Sequence, residues 1–148
     1  MRKLSADKGT KDVIVFGLPQ WTGFNNLNSN HMESLSVHIS SSTYINTHHP
    51  SYNSFKNKFY TNYFTMPDNQ AYQGYDLIMW LAKTISREGF EGVMRGKPAS
   101  ESGIALGFEL KPVYKEGKKP SEMKTPLYYE NSRVRTLKFT DQDYELMR

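Results

Sequence analysis

The 148-residue chain is long enough for one domain of ordinary size, and its 37% hydrophobic and 14% aromatic content excludes a disordered polymer. It has no cysteine, so disulfides and thiol chemistry are excluded while the redox compartment stays open. The net charge of +4 is uneven: Arg2, Lys3, Lys8 and Lys11 sit at the N-terminus, and Lys111, Lys115, Lys118, Lys119 and Lys124 share one stretch that Glu116 and Glu122 interrupt. That pattern predicts a frayed end and a solvated loop, and nucleic acid is not an expected partner.

No segment approaches the ~20 apolar residues of a membrane helix. Residues 1–10 lack the apolar core of a signal peptide, so the chain, if complete as written, is expected to stay in the cytoplasm. A flexible N-terminus over 1–11 is expected ahead of a single α/β domain over 12–148.

The first ordered element is Asp12-Val-Ile-Val-Phe-Gly17, a continuous apolar run ended by Gly17 and Pro19. It predicts a strand buried on both faces, as in a parallel sheet covered by helices. Asn30 and Glu33 have the spacing of a capping box, which predicts a short helix with Met32 and Leu35 on its apolar side. In Ser36–Ser41, Val37 and Ile39 alternate with polar residues, which predicts a second strand. Pro50 suits a helix start, and Tyr52, Phe55, Phe59 and Tyr63 recur at helical spacing. Thr65–Asp68 breaks that helix. A longer one is predicted from about Asn69 to Arg87, with the stripe Tyr72, Tyr75, Met79, Ala82 and Ile85 and with Gly89 as its stop. A weak helical turn over Phe90–Arg95 and a loop over Pro98–Gly103 follow.

Beyond this point the character changes. Ile104–Leu110 alternates and predicts a strand, then comes the lysine-rich loop of 111–124. Pro126–Tyr129, Val134–Phe139 and Tyr144–Met147 predict antiparallel strands. The fold class is therefore α/β: a βαβ front half with a mostly parallel sheet, then C-terminal antiparallel strands.

Catalytic signatures are missing. The turn Gly17-Leu-Pro-Gln-Trp-Thr-Gly23 lacks both dinucleotide and phosphate-loop spacing, and Pro19 removes a backbone N–H. His38 shares a strand with Ser40, Ser41 and Ser42, where a period of two constrains a triad more than it builds one. His48 and His49 are adjacent and point apart, and His31 stands alone, so a surface loop is expected and no metal. Glu33, Asp68, Asp76, Glu88, Glu91 and Glu101 show no paired spacing for acid–base work. No enzyme and no cofactor are expected.

Ligands of open α/β sheets bind outside the carboxyl ends of parallel strands. Two such ends are readable, Leu18–Trp21 and Ser41–Tyr44, each with an aromatic ring and hydrogen-bonding groups. Gln20, Trp21, Ser41, Ser42 and Tyr44 are the expected ligand-binding residues. For Trp21 and Tyr44 the competing expectation is plain packing against a neighbouring helix.

The pieces Phe16-Gly-Leu-Pro-Gln-Trp21, Ser40-Ser-Ser-Thr-Tyr44, Phe59-Tyr-Thr-Asn-Tyr63 before Pro67, and Ala71-Tyr-Gln-Gly-Tyr-Asp76, in that order, resemble the type I periplasmic-binding-like fold. The resemblance spans about residues 12–148 and looks nearest to solute-binding and receptor-like proteins of Bacteroidetes, some carrying LysM domains. It implies two α/β lobes closing on a small, amino-acid-like ligand, no catalysis, and a periplasmic or cell-envelope setting. It also implies a longer chain, of which this sequence corresponds to a C-terminal portion with a crossover near Ser40–Tyr44. The helices at 52–63 and 71–85 are then expected to expose apolar surface, and self-association or a partner completing the missing lobe is expected. The alternative is an assembly module that reuses the fold without a small ligand. By analogy with that family Asp76 would pair with a ligand amine; at a helix start it is more simply a favourable charge for the helix dipole.

Overall fold

The computed structural model describes residues 1–24, 26–97, 100–115 and 125–147. Its contacts gather into two compact units, Met1–Ser42 with Val134–Arg148, and Thr43–Arg133. The span 12–148 runs through both. The chain leaves the first unit after Ser42 and returns at Val134.

In the first unit, helix α1 (Arg2–Asp7) forms where a flexible end was expected. It is held against helix α2 (Ser29–Ser34): the Ser5 and Ser34 hydroxyls lie 2.7 Å apart, and the Lys8 ammonium donates to the Ser34 carbonyl. The cap of α2 is Asn28 rather than Asn30, its side chain accepting from the His31 N–H at 3.2 Å. Glu33 makes no capping box with Asn30; it accepts from the Gln142 N–H instead.

Strands β1 (Val15–Gly17) and β2 (Val37–Ser41) pair in parallel with α2 in the connection, which is the βαβ arrangement of the front half. Strand β2 then pairs antiparallel with β6 (Arg135–Thr140), and β6 with β7 (Asp143–Leu146), in the order β1-β2-β6-β7. The sheet is mixed. Its core is Met32, Leu35, Val37, Ile39, Leu137 and Phe139. Strand β1 departs from expectation: it lies at a sheet edge, and Phe16 is 75% exposed beside exposed Ile14 and Leu18. A continuous apolar run thus marks an edge strand here: among the described residues only β2 pairs with it, and the face that carries Phe16 is open.

The second unit holds helix α3 (Tyr52–Tyr63), helix α4 (Asn69–Met94) and the sheet β3 (Ser100–Ser102), β4 (Gly107–Val113), β5 (Tyr128–Asn131). Asp68 caps α4, accepting from the Ala71 N–H at 2.8 Å. Gly89 breaks the helix at φ 70°, ψ 179°, so two helical segments meet there, close to the expected stop and the weak turn beyond it. Tyr72 lies under Tyr52 and Phe55, with ring centroids 5.6 and 5.3 Å away, and Phe55 meets Tyr75 at 4.4 Å. The expected stripe fails beyond Tyr75. Met79, Ala82 and Ile85 are exposed, whereas Tyr72, Asp76 and Thr84 are buried and Trp80 stacks on Phe108 at 5.2 Å. The i, i+4 row through Tyr72 and Asp76 packs because Asp76 has backbone partners.

Three further expectations shift. Residues 104–106 are not strand, since their N–H groups bond Asp76, and β4 runs later, to Val113. Ser100–Ser102, expected as loop, pair with β4 as β3, while Pro98 and Ala99 lie outside the described residues. The C-terminal strands are antiparallel as expected but divide between two sheets: β5 pairs with β4, and β6 pairs with β2. Of the lysine-rich stretch, 116–124 lies outside the described residues; Lys111 sits in β4 and pairs with Glu109 at 3.0 Å.

Candidate functional site

The register Val15↔Val37 through Gly17↔Ile39 brings the carboxyl ends of β1 and β2 to the same edge. Pro19 starts a 3₁₀ turn, Pro19–Gly23, directly after β1. Gln20 is exposed in that turn and Trp21 is partly buried. The indole folds back onto Gly17: a Cβ at that glycine would meet the ring at 2.3 Å. Only a glycine lets the ring lie there. Ser41 ends β2 and Ser42 follows it, exposed. Gln20, Trp21, Ser41 and Ser42 therefore share one edge of one unit.

Tyr44 belongs to the other unit. Its backbone N–H donates to the Ala105 carbonyl at 3.0 Å, next to the Thr43↔Leu106 bridge. His38 is buried near the amino end of β2, with Nδ1 donating to the Ser36 carbonyl at 2.6 Å and its ring 5.4 Å from that of Phe16. Its ring is thus oriented by a backbone carbonyl and an aromatic neighbour, as a packed core histidine is.

The second unit contains a polar cluster that spacing did not reveal. A cavity of about 100 Å³ is lined by His49, Ser51, Tyr75, Lys83 and Glu101, among others. His49 Nδ1 accepts from the Ser51 N–H at 3.2 Å, which leaves Nε2 as the protonated nitrogen of the neutral ring. Lys83 bonds Glu101 at 2.8 Å, and the other Glu101 oxygen is buried without a partner among the described residues. Asp76 lines the same cavity. Its Oδ1 accepts from the Ile104 N–H at 2.8 Å, and its Oδ2 from Ala105 at 2.6 Å and Leu106 at 2.8 Å. With three backbone donors filling it, the carboxylate is a structural latch, not an amine ligand and not merely a helix-dipole charge. A Cβ at Gly103 would meet that carboxyl group at 2.4 Å, so the latch also dictates the glycine.

Two tyrosines are perturbed. Burial, then the hydrogen bond and charge of Tyr52, push Tyr72 up to about 12, and burial raises Tyr144. Glu109 is held below the usual carboxylate range by Lys111 and, less, by Arg133. None of these groups lies among the expected site residues. Among the described residues no cluster of three His, Asp or Glu side chains has metal-holding geometry, and no helix is long and apolar enough to cross a membrane.

A solved protein of Rhodospirillum rubrum, provisionally assigned as a branched-chain amino acid ABC transporter, matches 99% of this chain with a TM-score of 0.51 at 12% identity. The fold is that of a partial periplasmic-binding-like lobe. An ABC transporter substrate-binding protein of Desulfitobacterium hafniense, solved in complex with Leu, matches 99% of the chain with a TM-score of 0.43 at 15% identity. This chain spans 40% and 39% of those two proteins. No protein-family model and no curated protein matches the sequence.

Sequence reasoning missed His49, Lys83 and Glu101 as neighbours, because they come from three separate segments. One signal was available for Asp76: it stands four residues from both Tyr72 and Trp80, and an acid on an otherwise aromatic row needs buried partners.

Proposed function

We propose that this chain is a non-catalytic ligand-binding domain for a small, amino-acid-like molecule and forms part of a two-lobe solute-binding protein of the periplasm or cell envelope. The observation that carries the reading is the shared carboxyl edge of β1 and β2, where Gln20, Trp21, Ser41 and Ser42 offer an indole, an amide and hydroxyls. Ligands of such sheets bind outside that edge. The fold likeness to a protein assigned as a branched-chain amino acid transporter supports an amino acid as the ligand class. Tyr44 is proposed as a further ligand contact on the same analogy.

Binding to one part of a two-lobe site is expected to be weak, so the test must detect weak binding. The Trp21 indole N–H is followed by two-dimensional NMR while leucine, valine or glutamate is added at millimolar concentration. A saturable shift that weakens about tenfold in Ser41→Ala with Ser42→Ala is the expected result, the size of a lost hydrogen bond or two. No perturbation of Trp21 by any amino acid would remove the reading.

The second reading is an assembly module. It is favoured by the open edge β1 with exposed Ile14, Phe16 and Leu18, and by exposed Leu77 and Ile78 on α4. Exposed apolar edges invite pairing with another chain. Sedimentation equilibrium decides it: association abolished by Phe16→Lys supports this reading, and a monomer at all accessible concentrations sinks it.

A further inference from the structure

A groove of about 760 Å³ lies in the second unit, beside the C-terminal end of α4 and against β5, well away in sequence from the residues proposed above. Its walls include Trp80, Met94, Leu127, Tyr128 and Tyr129, and among the described residues Arg95 is the single charged one lining it. The volume is in the range of small-molecule sites, and apolar walls with few polar groups are their usual composition.

Two features make the groove preformed. The Trp80 indole is fixed by its stack on Phe108, at 5.2 Å and 15°. Tyr129 is fixed against Gly96, where a Cβ would meet the ring at 2.4 Å. One feature states the ligand's polarity. Arg95 supplies positive charge, and its pairing with Glu91 at 2.7 Å joins two side chains that are 72% and 81% exposed. Such an exposed pair holds its members weakly, so the guanidinium can take a second anion.

We infer that this groove binds a small carboxylate with an apolar body, the hydrocarbon against Met94, Leu127 and Tyr128, and the acid towards Arg95. The inference is independent of the edge of β1 and β2. A second copy of the chain and a neutral or cationic ligand are the competing occupants.

The chain has two tryptophans, so Trp21→Phe leaves Trp80 as the sole indole reporter. Its emission is followed on addition of octanoate, octanol or octylamine, and calorimetry on the unmodified chain repeats the titrations in case the variant fails to fold. Octanoate is expected to give a saturable change, with octanol binding up to about fivefold more weakly and Arg95→Gln erasing that difference, the worth of one exposed charge. Absence of any saturable change or heat overturns the site. Equal affinity for the three probes overturns the carboxylate class. Emission that varies with protein concentration and without ligand overturns the proposal in favour of a second copy.

Discussion

Replacing Asp76 tests whether the second unit is organised around one carboxylate. The side chain is 3% exposed and accepts three backbone N–H groups at 2.6–2.8 Å. In Asp76→Ala those donors lose their acceptor inside the unit. Each buried donor left without a partner costs about 1–3 kcal/mol, and local relaxation makes the three less than additive, so a loss of about 4 kcal/mol is expected. Asp76→Asn keeps the shape but turns an NH₂ group towards one of the donors; a loss of about 3 kcal/mol follows from the same bonds. Asp68→Ala is the control. It removes an acceptor at the same 2.8 Å, but from an exposed helix cap, where the cost is about 1 kcal/mol. Urea unfolding of the full chain, followed by far-ultraviolet circular dichroism, measures all three. If Asp76→Asn costs no more than Asp68→Ala, the latch is not what holds residues 104–106, and the account of α4 packing is wrong.

Gly103→Ala should behave as a weaker Asp76 variant, because its Cβ would press on the carboxyl group at 2.4 Å; unfolding should show a loss of about 1–3 kcal/mol. Gly17→Ala should displace the Trp21 ring, seen as a red shift and easier acrylamide quenching of its emission, and an unchanged spectrum would mean the ring does not lie on Gly17. Gly89→Ala meets no atom within 4 Å, so any destabilisation there is pure backbone strain at φ 70°, about 1–3 kcal/mol by urea unfolding. Tyr72 ionises near 12 in the folded chain against 10.0 when free, so folding favours its protonated form. Its contribution is intact below pH 10 and lost as pH rises from 10 towards 12, and Tyr72→Phe should flatten that part of the stability profile.

The elements were legible where one local rule decided them. Period-two alternation located β2, helical spacing located α3 and α4, and Gly89 ended the long helical run because its φ is positive. What was not legible depends on distant partners. Whether Val15–Gly17 lies at a centre or an edge is settled by which strands pair beside it, and an apolar run looks the same in both places. The alternating segment at 104–110 gives no sign that its first three N–H groups turn to Asp76, 28 to 30 residues earlier in the chain. Likewise nothing in the spacing of 126–147 says that β5 stays with β4 while β6 crosses to β2.

The same distinction applies to the candidate site. The carboxyl edge of β1 and β2 could be read because it follows from strand direction alone, and that argument needs only two adjacent parallel strands. Tyr44 was grouped with Ser41 and Ser42 by sequence proximity, and the boundary between the two compact units falls between Ser42 and Thr43. The groove by Trp80 was invisible for the opposite reason. Its walls come from α4 and β5, more than thirty residues apart, and each wall taken alone looks like ordinary core. A site built on one edge can be anticipated from a strand and its turn, whereas a site built between elements needs the pairing of β4 with β5 before its residues have any relation to one another.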